Sequence, residues 1–132
     1  MQDTTKEPEL YEEWIDKAEQ DVRAAFRLLR TCPVEVPYVI YWLCLQRTEK
    51  YIKAFMTKEP ELRLIRGHDL VRLNDECVKG DAKFFELEDD LYKLYENGEP
   101  NVRYPGLVRD SKDAREAFHI AMRVRRFIRR RL

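Results

Sequence analysis

Apolar residues recur at the spacing of an α-helix along most of this chain. Between residues 9 and 30 they occupy every third or fourth position: Tyr11, Trp14, Ile15, Ala18, Val22, Ala25, Phe26 and Leu29. A helix with this pattern has one apolar face, which becomes stable when it is buried against other helices. Only 4 of the 132 residues are glycine and 38% are charged, which is typical of a helical protein with solvated outer faces.

Prolines and short polar segments divide the chain into about five predicted helices. Pro33 and Pro37 end the first helix, and Pro37 can occupy the first turn of a second helix that continues to about Thr57. A short third helix is predicted from His68 to about Val78. The second helix begins with residues that are apolar on every side, which indicates a central helix or one covered by a partner.

Two further helices are predicted in the last third of the chain. The fourth follows a turn at residues 79–81, and its apolar positions are Phe84, Leu87, Leu91 and Leu94. A long loop comes next, and Asp110 or Ser111 caps the fifth helix. The apolar positions of that helix are Ala114, Ala117, Phe118, Ala121, Val124 and Ile128. The sequence therefore predicts an all-α fold, an antiparallel up-and-down bundle of about five helices, as one domain over residues 1–132 with a disordered tail at 1–8.

The charges are balanced overall but unevenly distributed. Residues 1–20 carry seven acids and two lysines, whereas residues 123–131 carry six arginines and no acid. Such a basic segment can attract nucleic acid or an acidic partner. It can equally stabilise the C-terminus of a helix and keep it soluble, so both interpretations stay open at this point.

The three cysteines, Cys32, Cys44 and Cys77, are widely spaced and form no CxxC motif. Neither a disulfide framework nor a zinc site is indicated, and we expect Cys44 to be a small core residue. The sequence opens with polar and acidic residues, and its longest apolar run, Val36–Leu45, is too short to cross a bilayer. We therefore expect a cytoplasmic protein without membrane association, bound metal or cofactor.

Two carboxylates interrupt the apolar faces of the first two helices. Asp21 lies seven positions after Trp14, and Glu49 lies seven positions after Trp42, so both acids are predicted to face the bundle. A buried carboxylate is costly without a cation or donor nearby. The candidate partners are Lys50, Lys53, His68 and Arg103. Such a pair could be a purely structural ion pair or part of a functional site.

His68 follows Gly67 at the predicted start of the third helix. There it could act as a base or donor, or it could only cap or pack against the helix. The second histidine, His119, has no predicted partner and is expected to be structural or solvated. No P-loop, GxSxG, HExxH or GxGxxG motif is present in the sequence.

Four segments in order resemble the HEPN family, named for nucleotide binding in higher eukaryotes and prokaryotes. They are WIDKAEQDVRAAFRLL (14–29), QRTEKYIKAF (46–55), GHDL (67–70) and RYPG (103–106). By resemblance, the family motifs fall on Gln46, Glu49, Lys50, Lys53, His68, Arg103, Tyr104 and Pro105. One departure is Gly67, since the family commonly has threonine before the histidine.

The resemblance implies a compact antiparallel helical bundle that is often dimeric. Family members are linked to nucleotide or RNA binding, and many are encoded beside a minimal nucleotidyltransferase in toxin–antitoxin-like pairs. Some branches are metal-independent ribonucleases with an Arg-x4–6-His motif. Arg63 and His68 satisfy that spacing formally, although Arg63 is predicted to lie in a loop.

The first hypothesis from these observations is a nucleotide- or RNA-binding module that acts with a nucleotidyltransferase. The nucleotide-binding residues would be Lys50, Lys53, His68, Arg103 and Tyr104, and the supporting polar network would be Asp21, Gln46 and Glu49. Arginine suits phosphate because its planar fork donates two hydrogen bonds, and a tyrosine ring can stack on any base.

Two alternatives come from other functional classes. In an endoribonuclease, His68 would be the catalytic base, and Arg103 or Arg63 would stabilise the charge that develops on the phosphate. In a purely structural protein, the apolar start of the second helix would pair with a second copy or with another protein. That surface would include Tyr38, Tyr41 and Trp42.

Overall fold

The computed structural model describes residues 10–64, 67–97 and 110–132, without the side chains of residues 96 and 97. Over these residues it contains five α-helices, one 3-10 helix and no strand. The helices are α1 (Tyr11–Thr31), α2 (Pro37–Lys58), α3 (Leu70–Gly80), α4 (Glu88–Asn97) and α5 (Ser111–Arg129), and the 3-10 helix Ala82–Leu87 precedes α4. The predicted all-α bundle is confirmed. The tail at residues 1–8 and the loop with Arg103, Tyr104 and Pro105 lie outside the described residues.

Helices α1 and α2 form an antiparallel pair. Near the middle, Lys50 contacts Asp21, and further along α2 the Nζ atom of Lys58 lies 5.7 Å from the ring centroid of Tyr11. Residue numbers thus fall along α1 as they rise along α2. Helix α5 runs parallel to α2, since Arg47 contacts Met122 whereas Lys58 donates a hydrogen bond of 3.0 Å to the carbonyl of Leu132.

The segment before and within α4 is antiparallel to α5. Arg123 forms two hydrogen bonds of 2.9 Å with Asp90, and Arg131 donates one of 2.8 Å to Asp81. Helices α1 and α4 therefore point one way, and α2 and α5 point the other way. This is the up-and-down arrangement, with α3 inserted between α2 and α4.

Helix α2 is the centre of the core. Its buried residues face α1, α5 and the α3–α4 region at once, as a helix with few polar positions requires. Phe84 lies between Phe55 and Phe127, with ring centroids 4.4 and 4.9 Å away. Cys44 is fully buried, as expected for a small core residue. No helix among the described residues is long and apolar enough to cross a membrane.

Side-chain caps explain where two helices begin. Asp110 accepts a hydrogen bond of 3.0 Å from the backbone N–H of Asp113, so the predicted cap of α5 is present. The prediction that His68 opens α3 is wrong, because Asp69 is the N-cap. The Asp69 carboxylate accepts hydrogen bonds of 3.0 and 3.2 Å from the N–H groups of Val71 and Arg72. His68 therefore precedes the helix and does not compete for its free N–H groups.

Candidate functional site

A buried carboxylate on α2 holds a histidine from a different part of the chain. Glu49 is only 5% exposed, and its Oε1 atom lies 2.6 Å from Nδ1 of His68. Its second oxygen, Oε2, lies 3.5 Å from Nζ of Lys53, one helical turn further along α2. The His68 side chain is 55% exposed. These three residues form the Glu49 cluster, in which a buried acid orients an accessible imidazole.

Local backbone conformation brings His68 to Glu49. Gly67 has φ +119°, a value that residues with a side chain rarely adopt, and it turns the chain immediately before His68. Asp69 then anchors the start of α3 immediately after it. Threonine, which the resemblance to the HEPN family would lead one to expect at this position, would be strained in this conformation, which gives a physical reason for glycine here.

Lys53 lies beneath the site and does not face solvent. Its side chain is 2% exposed, and Nζ lies 5.4 Å from the ring centroid of Trp14 on α1. The ammonium therefore has the Glu49 carboxylate and the face of an aromatic ring as neighbours. The indole Nε1 atom of Trp14 is buried and has no hydrogen-bond partner among the described residues.

Asp21 and Lys50 form a second ion pair across α1 and α2. The carboxylate and ammonium are 2.6 Å apart, and both side chains are partly exposed. Gln46 lies one turn earlier on α2 and is half-buried. Of the predicted partners for the two acids, the structure brings Lys50 to Asp21, and Lys53 and His68 to Glu49. Arg103 and Tyr104 lie outside the described residues.

A second polar cluster, which the sequence reasoning missed, lies where α1 meets α5. Glu19 accepts hydrogen bonds from the hydroxyl of Tyr51, from Arg125 Nε at 3.1 Å and from Arg129 Nη1 at 2.9 Å. The guanidinium of Arg47 lies beneath, 5.5 Å from the Tyr51 ring centroid. We refer to these five residues as the seam cluster. Arg47 lies four positions after Leu43 and four positions before Tyr51, so it interrupts an apolar helix face as Glu49 does. The sequence criterion that identified Glu49 would therefore have identified Arg47 as well.

The contacts and burial within the seam cluster shift the pKa values of its own residues. Burial raises the pKa of Tyr51 to about 12, and the hydrogen bond to Glu19 adds to this effect. Burial alone would raise the pKa of Glu19, but hydrogen bonds from Tyr51 and Arg125 outweigh it, so the pKa is lowered. Burial lowers the pKa of Arg47. Among the described residues, no three His, Cys, Asp or Glu side chains are grouped as a metal site would require.

Comparison with known proteins gives the family. The HEPN domain family model matches residues 11–131, nearly the whole chain. The chain belongs to the HEPN family. The crystal structure of TT1696 from Thermus thermophilus is similar to this HEPN domain, with a TM-score of 0.66 and 19% sequence identity over 92% of this chain and 98% of that one. That likeness supports the fold alone. No protein with a curated description matched the sequence.

The Arg-x4-His spacing of this HEPN domain does not create a paired site in the described residues. Arg63 is exposed and lies outside any helix, and its backbone N–H approaches Oε1 of Glu76 at 3.5 Å. His68 instead contacts Glu49. His68 is thus oriented by the Glu49 carboxylate on α2.

Proposed function

We propose that this HEPN domain binds a nucleotide or RNA at the Glu49 cluster, and that it does so in the cytoplasm beside a minimal nucleotidyltransferase. The contact between Glu49 and His68 carries the proposal. With the carboxylate ionised, Nδ1 of His68 carries the proton that it donates, so Nε2 is left for a ligand. The imidazole is exposed, and a ligand can reach it without rearrangement of the core.

Three further residues supply binding energy in this proposal. Lys50 is about one-fifth exposed and is paired with Asp21, so it can turn toward a phosphate while staying near its carboxylate. Arg103 contributes a bidentate contact to phosphate, and Tyr104 stacks on the base. Lys53 lies beneath the site, where its buried positive charge offsets the negative charge of Glu49.

Equilibrium titration with ATP, AMP and a single-stranded RNA oligonucleotide tests this proposal. We expect saturable binding that weakens as salt increases, and a loss of about tenfold or more in His68→Ala and in the double variant Lys50→Ala, Arg103→Ala. His119→Ala is the matched control, because His119 is exposed on α5 and has no part in the cluster. Equal affinity in the parent and His68→Ala proteins would refute the assignment.

The same contact favours ribonuclease activity as a second candidate function. A histidine oriented by a buried carboxylate is the arrangement that general bases use, because the acid holds the ring and stabilises its protonated form. Arg103 would stabilise the developing charge on the phosphate. Purified protein with EDTA should then cleave single-stranded RNA, and both His68→Ala and Glu49→Gln should lose activity while His119→Ala retains it. Intact RNA after prolonged incubation would exclude this candidate.

The partner proposal concerns an apolar surface at the start of α2. We propose a homodimer or a complex with the nucleotidyltransferase, in the toxin–antitoxin-like pairs that the family resemblance implies. Val39 at the start of α2 is 41% exposed, and Tyr38 and Trp42 beside it are half-buried, so they can contribute to pairing. Tyr41 is predicted from the sequence to belong to this surface, but it is buried, and its hydroxyl donates a hydrogen bond to the carbonyl of Leu94. An adjacent nucleotidyltransferase gene and a dimer in light scattering would support it. A monomer at high concentration would exclude self-pairing and would leave pairing with another protein as the structural alternative.

A further inference from the structure

Arg47 is charged and fully buried, yet it has almost no polar partner. Its Nε and Nη1 atoms make no hydrogen bond among the described residues, and Nη2 lies 3.1 Å from the thioether sulfur of Met122. The guanidinium is placed near the rings of Tyr51 and Phe118, with centroids 5.5 and 5.8 Å away. Ring faces attract a cation but accept none of the hydrogen bonds that these N–H groups can donate. A methionine sulfur is only a weak acceptor.

The groups around Arg47 add to its positive charge. Arg125 and Arg129 both bind Glu19, and the Tyr51 hydroxyl donates to the same carboxylate. The seam cluster therefore contains three guanidinium groups and one acid, two of the three in contact with that acid, and has a net charge of about +2. At an exposed site, water would screen such an excess of positive charge. Here Arg47 is fully buried and Arg125 is largely buried.

A groove at the seam between α1 and α5 exposes one of these cations, Arg129. Side chains of α1 and α5 contact one another at two places along this seam. Glu19 contacts Arg125 and Arg129, and the ring centroids of Phe26 and Phe118 are 6.2 Å apart. At one end lies a groove of about 240 Å³ lined by Tyr11, Glu12, Ile15, Arg129 and Leu132. Arg129 is half-exposed at this groove, and Arg125, one turn earlier on α5, is largely buried. Arg47 is fully buried, with its guanidinium 5.5 Å from the Tyr51 ring centroid.

We propose that the α1–α5 seam binds a phosphate group, either free or on a nucleotide, between Arg47, Arg125 and Arg129. A phosphate monoester carries about −1.5 to −2 charge at pH 7, so it offsets more of the three positive charges than the single Glu19 carboxylate that it replaces. Guanidinium forks suit its tetrahedral oxygens. Without phosphate, the Glu19 carboxylate forms ion pairs with Arg125 and Arg129. On binding, the Glu19 carboxylate swings out, and the flexible Met122 side chain moves away from Arg47.

This site is independent of the proposed nucleotide site. None of its residues belongs to the Glu49 cluster, and the two lie on opposite flanks of α1, one beside Asp21 and the other beside Glu19. A failure at one site therefore leaves the other intact, provided that each is removed by its own substitution.

Thermal unfolding in phosphate, compared with chloride at equal ionic strength, tests the proposal. We expect the parent midpoint to rise by about 4 °C when phosphate is at ten times its Kd. Arg47→Met should differ from the parent in both solutions. Its midpoint in chloride should exceed that of the parent, because an apolar side chain of similar shape replaces an unpaired buried charge, and phosphate should no longer raise it.

Two control variants locate the effect. Arg23→Met removes an exposed arginine of α1 that has no ion pair among the described residues, and it should keep the phosphate shift. The double variant Lys50→Ala, His68→Ala should also keep it, since both substitutions lie in the other site. Equal parent midpoints in phosphate and chloride, or an undiminished shift in Arg47→Met, would overturn the proposal.

If Arg47→Met does not fold, the Glu19→Gln variant tests the phosphate-site proposal instead. Removal of the competing carboxylate should raise phosphate affinity about fivefold or more, and unchanged or weaker affinity would overturn the proposal. Titrations of the Lys50→Ala, His68→Ala variant with inorganic phosphate, AMP and adenosine separate the sources of the phosphate, because this variant lacks the proposed nucleotide site. Tighter binding of AMP indicates a nucleotide, and equal binding indicates free phosphate. A shift with adenosine as large as with AMP would show that the base alone binds and would exclude the phosphate site.

Discussion

The Nδ1 atom of His68 lies 2.6 Å from Oε1 of Glu49, although the two residues are 19 positions apart and belong to different segments. Glu49 projects from the most buried helix of the bundle, whereas His68 comes from the turn before α3. The contact therefore links the core to the surface. It makes the accessible histidine dependent on a carboxylate that is itself held by Lys53.

The coupling between Glu49 and Lys53 should exceed that between Asp21 and Lys50. Glu49→Gln should lower the free energy of unfolding by about 2 kcal/mol, because the nearly buried Lys53 ammonium loses its carboxylate. In a double-mutant cycle with Lys53→Met, we expect a coupling of about 1–2 kcal/mol from urea denaturation. The matched cycle Asp21→Asn, Lys50→Met should give about 0.5 kcal/mol and weaken with salt, since those side chains are partly exposed. Equal couplings would contradict the burial argument.

Glu19 should make the protein less stable in acid. Its pKa is lowered in the folded state, so its stabilising contribution is fully present above the unfolded pKa and is lost as pH falls through the folded value. Urea denaturation at pH 7, 5, 4 and 3 should show a shallower loss of stability in Glu19→Gln than in the parent. Glu13→Gln, which removes an exposed acid of the same helix, should follow the parent curve. Parallel curves for Glu19→Gln and the parent would argue against this linkage.

The Asp69 cap should support both α3 and the position of His68. Asp69→Ala leaves two N–H groups without their side-chain acceptor and should cost about 1 kcal/mol of unfolding free energy. Asp69→Asn should retain most of the stability, because asparagine also caps helices well. We further expect Asp69→Ala to weaken nucleotide binding, which titration would measure beside the denaturation curves. A stable Asp69→Ala protein with parental binding would show that the cap does not position His68.

Cys32 should be the fast-reacting thiol of this protein. Burial raises the pKa of Cys44 to about 12 and also raises that of Cys77, so their thiolate fractions at pH 8 are far below that of an ordinary cysteine. An aromatic disulfide reagent should therefore label one thiol quickly in the native protein and all three after unfolding. Cys32→Ser should abolish the fast phase. Two or more fast thiols in the native parent would contradict the buried positions.

Sequence periodicity predicted the helices well, because helix formation depends on neighbours within one or two turns. Pro37 begins α2 as expected, and Asp110 caps α5. The error at His68 arose because two adjacent polar residues could each start α3, and the shorter Asp69 side chain accepts from the free N–H groups. The 3-10 helix before α4 was also missed, since its buried positions, Phe84 and Leu87, fit an α-helical pattern equally well.

The sequence by itself determined the class of fold, the helix faces that are buried and the family motifs, since all of these follow from local spacing. Only the tertiary structure decided which charged side chains form ion pairs with each other. Glu19 could have paired with any nearby cation, and it is the parallel packing of α5 on α2 that brings Arg125 and Arg129 to it. The same packing encloses Arg47 without a strong acceptor. Ion pairing depends on a few ångströms between helices that are far apart in the chain, and no local pattern encodes that distance.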